Sequence, residues 1–412
     1  MDSLNGPEVE SEKAGHRRIG FNFPMLTVRT QMFSGVFDML GSLRASRLIS
    51  WIALIIVPIV AGIGLYLISN SLFTLLWTPT ARDITRELGP GAYLLLPGIN
   101  PFLPILYGWV AIICAIAVHE GAHGVIARNR GMKVRSSGLL FFLVIPVGAF
   151  VDVDEKQLAK AKSKDSLRVM AAGVGGNIVV AVVCILSVLV IVSGLTPIID
   201  GVYVSDVMDG MPAEEAGLLA EDVFVSVDNV EIGNFEELKA LLENKDPGDV
   251  VQVIVARGEM WEDRFSTSVN LTESEDRTVM GVTVGDLMTE ERLGFYQALA
   301  PETFSMYLVP PALAPGLVPF SDSLALFYTH GLGAQWHVLA NVLFWLWFVN
   351  VNVAVFNALP IYPLDGGRMF NISLKSILGR RVGEKIVLRI TIAVTGTLIF
   401  VLLMIAVIPF IL

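Results

Sequence analysis

Charge is scarce in this sequence. Only 17% of its 412 residues are Asp, Glu, Lys or Arg, against about 25% in an ordinary soluble chain. That scarcity argues against a freely soluble globular protein. Cysteine is scarcer still. The two present, Cys114 and Cys184, both sit in apolar runs, where a thiol packs as a small hydrophobe. They build neither a disulfide framework nor a cysteine zinc site. The first 45 residues contain no long apolar run, so no secretory leader is expected there.

The sequence is instead dominated by apolar residues, at 54%. Five runs are long enough to cross a bilayer: about 46–76, 103–127, 169–195, 337–359 and 386–412. The net charge of −10 is unevenly spread. Residues 200–330 hold 25 acidic and 6 basic side chains, and the remainder is net basic. An acidic soluble module is therefore expected inside a basic membrane protein.

Five segments follow. Residues 1–45 read as a polar, weakly structured cytoplasmic tail. Residues 46–197 form the first part of a membrane domain. Residues 198–287 are the acidic module, with short β-type runs (GVYVSDV, DVFVSVDN, DVVQVIVAR, MGVTV) around a helical FEELKALLEN. Residues 288–335, Pro-rich and semi-apolar, are expected at the membrane surface. Residues 336–412 complete the membrane domain. Residues 77–100 and 368–385 read as loops. The apolar stretch 138–151, broken by Pro146 and Gly148, is too short for a span and reads as a re-entrant or strand-like insertion. The tail and residues 128–168 and 368–385 are basic, which makes them cytoplasmic by the positive-inside rule and the acidic module extracytoplasmic.

Near the end of the second run stands His119-Glu120-Gly121-Ala122-His123. Helical positions four apart lie about 40° around the axis and one turn along it, so both imidazoles can hold one Zn²⁺ while Glu120 lies beside them as acid/base. Fifteen residues of apolar helix, about 22 Å, precede His119, which sets the site inside the membrane near the cytoplasmic face. Zinc needs a third protein ligand. The best candidate is Asp365, in the Pro- and Gly-rich segment Asn357-Ala-Leu-Pro-Ile-Tyr-Pro-Leu-Asp365-Gly-Gly-Arg368, at the matching depth of the fourth run. His16 falls in the polar tail, and His330 and His337 fall on the other side of the membrane, away from this depth.

These blocks resemble the site-2 protease family of intramembrane metalloproteases. The resemblance implies that His119, His123 and Asp365 bind Zn²⁺ and that Glu120 is the catalytic residue. It also makes Asn357, Asn352 and Asn177 candidate substrate or transition-state contacts, and it makes the stretch 138–151 a membrane-inserted β-like element expected to pair with extended substrate. The family's third span commonly carries Gly-Pro-x-x-Asn; here Gly173-Val-Gly-Gly-Asn177 has valine for proline and keeps the asparagine. Gly210-Met-Pro-Ala-Glu-Glu-Ala-Gly217-Leu-Leu, with Asp222 to Asp228 after it, resembles a PDZ domain, whose peptide-docking edge would be Met280–Val284. The expected fold is a polytopic α-helical membrane protein of about five spans, with an inserted extracytoplasmic PDZ-like α+β domain and a membrane-inserted β-like element. The expected partners are transmembrane protein substrates, peptide ends at the PDZ-like domain and membrane lipid, with no nucleic acid. Two other classes compete with this reading. One is a catalytically inactive membrane scaffold. The other is a metal-ion transporter, which the lack of an inverted repeat of spans disfavours.

Overall fold

A computed structural model describes residues 19–143, 145–274, 277–298 and 305–412. The chain divides into two compact units, one of Met1–Ile185 with Phe344–Leu412 and one of Leu186–Leu343. The principal helices in chain order are α1 (Ser34–Ser42), α2 (Arg44–Trp77), α3 (Ile105–Asn129), α4 (Ser163–Val192), α5 (Phe235–Glu243), α6 (Trp336–Ala358), α7 (Asp365–Val382) and α8 (Glu384–Ile411). Five of these, α2, α3, α4, α6 and α8, are long and apolar enough to cross a membrane. The protein is a multi-pass membrane protein, as its five apolar runs imply.

The spans are packed inside out relative to a soluble protein. Helix α2 buries Ser46, Ser50, Ala53, Val57, Val60 and Gly64 and exposes Ile55, Ile59, Ile63 and Leu67. Lipid tails are as apolar as leucine, so helices gain by close contact between small residues rather than by hiding large ones. The glycine run of α4 follows the same rule. A Cβ on Gly175 would collide with that of Ala53 in α2, and one on Gly176 would come within 2.9 Å of Ala122 in α3.

Four antiparallel strands complete the first unit: β1 (Ile19–Asn22), β2 (Met25–Thr30), β3 (Val134–Phe142) and β4 (Ile145–Val153), in that order across the sheet. Leu139 lies opposite Val28 on one side and Ala149 on the other. The broken stretch 138–151 is thus strand, as expected. The weakly structured tail is not borne out over its described part. Residues 19–30 form a hairpin that extends the sheet, and α1 packs on α3, where Asn129 Nδ2 donates to Gly41 O at 2.6 Å. The alternating segment Leu26-Thr27-Val28-Arg29-Thr30 supplies the partner that β3 lacks in local sequence. Residues 1–18, with His16, lie outside the described residues.

Two expected loops are also corrected. Residues 79–88 are helical, and this helix and Tyr93 beyond it serve the end of α8. Pro409 has no N–H to give Ile405 O, and the Tyr93 hydroxyl donates there instead at 3.3 Å, while Arg86 Nε donates to Pro409 O at 2.9 Å. Carbonyls at a membrane helix end are costly if left unpaired. Most of residues 368–385 is not loop but α7.

In the second unit the four β-type runs are strands β5 (Val202–Val207), β6 (Val223–Val227), β7 (Val250–Arg257) and β9 (Val282–Asp286). With β8 (Asp263–Asn270) they form an antiparallel sheet in the order β8-β7-β6-β5-β9. Val251, Val253 and Val255 alternate inward along β7 and meet Leu238 of α5, Phe224 and Met280 in one core. Asn234 caps α5 by accepting the Glu237 N–H, and the Glu237 carboxylate accepts the Gly233 N–H, a reciprocal cap.

Asp222, 1% exposed, takes two bonds of 2.7 Å from the Arg257 guanidinium, which also stacks on Phe265 at 4.2 Å. Removing one member of such a pair strands the other. Asp222→Ala should therefore cost about 3 kcal/mol, read as a lower unfolding midpoint for this unit in the detergent-solubilised full chain.

Candidate metal centre

The one-turn spacing in α3 sets the rings of His119 and His123 edge to face, with centroids 4.9 Å apart. Both residues are 7% exposed. Asp365 reaches them from the first position of α7, where a carboxylate is favoured by the exposed N–H groups of the helix start. Its Oδ2 lies 3.0 Å from His119 Nε2 and 2.9 Å from His123 Nε2, and the two Nε2 atoms are 3.3 Å apart. Gly366 and Gly367 permit this approach, since a Cβ on either would strike the backbone of residues 358–362. The glycines therefore act inside the first turn of α7 rather than by unwinding the chain around Asp365.

The outer hydrogen bonds settle which nitrogens carry protons. His123 Nδ1 lies 2.7 Å from Val169 O, and a carbonyl only accepts, so Nδ1 is the donor. His119 Nδ1 lies 3.2 Å from Asn177 Oδ1, and Asn177 Nδ2 donates to Ala115 O at 3.2 Å. That second bond fixes the amide orientation, so His119 Nδ1 also donates. In neutral rings both Nε2 atoms then present lone pairs to Asp365.

Three acceptors thus face one point. A tetrahedral ion with bonds of about 2.0–2.1 Å has ligand atoms about 3.3–3.4 Å apart, close to the triangle observed. His119, His123 and Asp365 therefore fit Zn²⁺, and they form the cluster among the described residues that could hold a metal ion.

Gly173 forms the floor, where a Cβ would lie 2.6 Å from both rings. Glu120 points to the sheet, and its Oε2 accepts the Val151 N–H of β4 at 3.0 Å. Asn177, expected at the substrate, is fully buried behind His119. Asn357 and Asn352 donate their Nδ2 back into α6, to Val353 O at 3.0 Å and Phe348 O at 2.8 Å. The residues that sequence reasoning missed are Val169, Gly173 and Val151. The first and last act through backbone atoms, which leave no mark in side-chain identity. Gly173 was legible only as part of a packing motif.

A family model described as peptidase family M50 matches residues 107–403. An uncharacterized protein of Methanocaldococcus jannaschii is 23% identical over 355 residues, covering 84% of this chain and 80% of that one. The zinc metalloprotease RasP of Oceanobacillus iheyensis is 22% identical over 255 residues, so this chain spans 56% of that relative, and 56% of this chain is covered. RasP of Shouchella clausii is 29% identical over 188 residues, 43% of this chain and 44% of that one. Among solved structures, the PDZ domain of an SdrC-like protein from Listeria monocytogenes is 26% identical, with a TM-score of 0.19, covering 21% of this chain and 88% of that one.

Outer hydrogen bonds of this kind typically govern metal affinity by about 10–100-fold. Asn177→Leu should weaken Zn²⁺ binding by that order while leaving the ligands in place, as measured by competition with a chromogenic chelator. Gly173→Ala should lower it further by displacing both rings.

Proposed function

The chain belongs to peptidase family M50, a family of zinc metalloproteases, and from that premise we propose that it is an intramembrane endopeptidase. Its substrates are membrane-anchored proteins, cut within or near their transmembrane segments in regulated intramembrane proteolysis. The observation that carries this reading is the convergence of His119 Nε2, His123 Nε2 and Asp365 Oδ2 at the end of a helix long enough to span a bilayer, with Glu120 one residue from His119.

Zinc held by the three residues would supply Lewis-acid polarisation of the scissile carbonyl and a water of lowered pKa. Glu120 would take a proton from the attacking water and return it to the leaving amine. Asn357 Nδ2, by turning from Val353 O, would donate to the developing oxyanion, and Asn352 would contact the substrate. We assign Asn177 to holding the His119 ring rather than to the substrate. Strand β4 lies at the edge of its sheet, and an extended peptide can add to such an edge. We place this sheet in the membrane near the cytoplasmic face.

We take residues 46–197 and 336–412 as the membrane domain, 198–287 as a PDZ-like domain, 288–335 as a surface linker and 1–45 as a cytoplasmic segment. The basic segments 128–168 and 368–385 support the cytoplasmic assignment, and the acidic domain then lies outside. Between α5 and β9 runs a groove of about 610 Å³, lined in part by Leu238, Leu242, Met280, Val282 and Val284. It supports capture of apolar peptide ends, a filter for substrates already shortened.

Glu120→Gln should keep zinc and lower cleavage of a single-span reporter by about 10²–10⁴-fold. Undiminished turnover would remove Glu120 from the mechanism, whereas no cleavage by the zinc-loaded wild type would revive the transporter and scaffold readings. Chelation of the purified wild type should abolish cleavage, and added Zn²⁺ should restore it.

A further inference from the structure

A small polar pocket lies at the end of the helix that carries His119 and His123. It occupies about 190 Å³ between α1, α3 and the strands β2 and β3, and Thr30, Ser34, Arg128, Arg135, Ser136 and Ser137 contribute to its walls. The lining holds two guanidinium groups and no carboxylate. Two of the lining residues carry buried polar atoms without hydrogen-bond partners, Ser136 at Oγ and Arg128 at Nε. Ser136 is only 8% exposed. Asp38 Oδ1 lies 3.2 Å from Arg128 Nε, yet outside hydrogen-bonding geometry, so this donor stays unused.

The groups around the two donors are committed elsewhere. Ser34 Oγ donates to Gln31 O at 2.8 Å, Gln31 Nε2 to Arg135 O at 3.3 Å and Ser137 Oγ to Thr30 O at 3.5 Å. These bonds hold the walls apart and leave Ser136 Oγ and Arg128 Nε to an occupant. Leaving them unsatisfied costs free energy. An anion with several acceptor oxygens satisfies both at once, and charge-assisted bonds of this kind are the stronger ones. Ser34 is also the first residue of α1, whose start has no side-chain cap, and the start of a helix favours negative charge.

The surroundings say which anion. Arg128 stands in the last turn of α3, a helix long enough to cross a bilayer, so the pocket lies at headgroup level. Met32, between the lining residue Gln31 and α1, is exposed, and Phe33, Val36, Met39 and Leu43 form an exposed apolar face along α1, whose Phe37 and Gly41 are buried. A helix with such a face lies in the interface, with its apolar side among acyl chains. We propose that the pocket binds the phosphate of an anionic phospholipid, whose chains lie against this face of α1. A zwitterionic lipid would bring its ammonium group toward two guanidinium groups and is disfavoured. The site holds whether or not the chain is a peptidase.

Calorimetric titration of the delipidated, detergent-solubilised full chain tests this, with dihexanoyl-phosphatidylglycerol, dihexanoyl-phosphatidylcholine and inorganic phosphate as probes. Phosphatidylglycerol should bind at least about 10-fold more tightly than either of the others. Arg128→Gln should weaken its binding by about 10–100-fold. Ser136→Ala, which removes no hydrogen bond of the fold, should weaken it by about 2–10-fold. Asp38→Asn should tighten it, because the carboxylate competes for Arg128. The zinc content of each variant reports an intact fold; should Arg128→Gln fail that check, the other two variants decide. Equal binding of the two lipids, or wild-type affinity in both Ser136→Ala and Asp38→Asn, overturns the proposal. Inorganic phosphate that binds as tightly as phosphatidylglycerol makes the ligand a free anion and overturns the lipid assignment.

Discussion

Two imidazole lone pairs and a carboxylate oxygen held 2.9–3.3 Å apart repel one another, and in an apolar surround that repulsion is poorly screened. Such an arrangement persists only if a cation sits among the three atoms or if the surrounding structure forces it. The surrounding structure supplies the second condition. Val169 and Asn177 fix the rings from behind through their Nδ1 protons, Gly173 fills the space below them without a side chain, and the two glycines after Asp365 allow α7 to start against the end of α6. None of these contributes a ligand atom. Together they remove the freedom by which the three acceptors would otherwise separate.

The same economy explains why α4 carries glycine at 173, 175 and 176. Each faces a different neighbour: the histidine rings, Ala53 of α2 and Ala122 of α3. A bilayer offers no hydrophobic drive for helices to associate, so close packing of small residues has to supply it. The stripe that brings the spans together is therefore also the stripe that makes room for the metal centre. The valine at 174, where the family commonly has proline, sits within this helix and is fully buried, and the ring contacts on either side of it are intact.

Much of this was legible in the sequence because the bilayer imposes a strong and simple signal. The apolar runs gave five spans, and His119, His123 and Asp365 stood out because ionisable groups are costly at membrane depth. The strand character of 138–151 was legible from its length and its break at Pro146. The part that escaped depends on distant pairing. Met25–Thr30 is strand because β3 lies beside it, across more than a hundred residues of chain. The helix at 79–88 is polar and short, and it is tied to α8 by the bond from Arg86 to Pro409 O. Asn177 was singled out as a substrate or transition-state contact, but it lies behind His119, a place that depends on the rotation of α4 against α3, which spacing along one helix does not reveal.

A transmembrane helix satisfies its own backbone and excludes water, so a hydrolase acting on one must first compensate the hydrogen bonds it opens. An edge strand does this at low cost, because each backbone group released from the substrate helix finds a ladder partner in place of water. On the proposed reading, β4 plays that part, and its position against α3 puts the exchange beside the carboxylate that moves the proton. Unwinding and chemistry then need not be separate events.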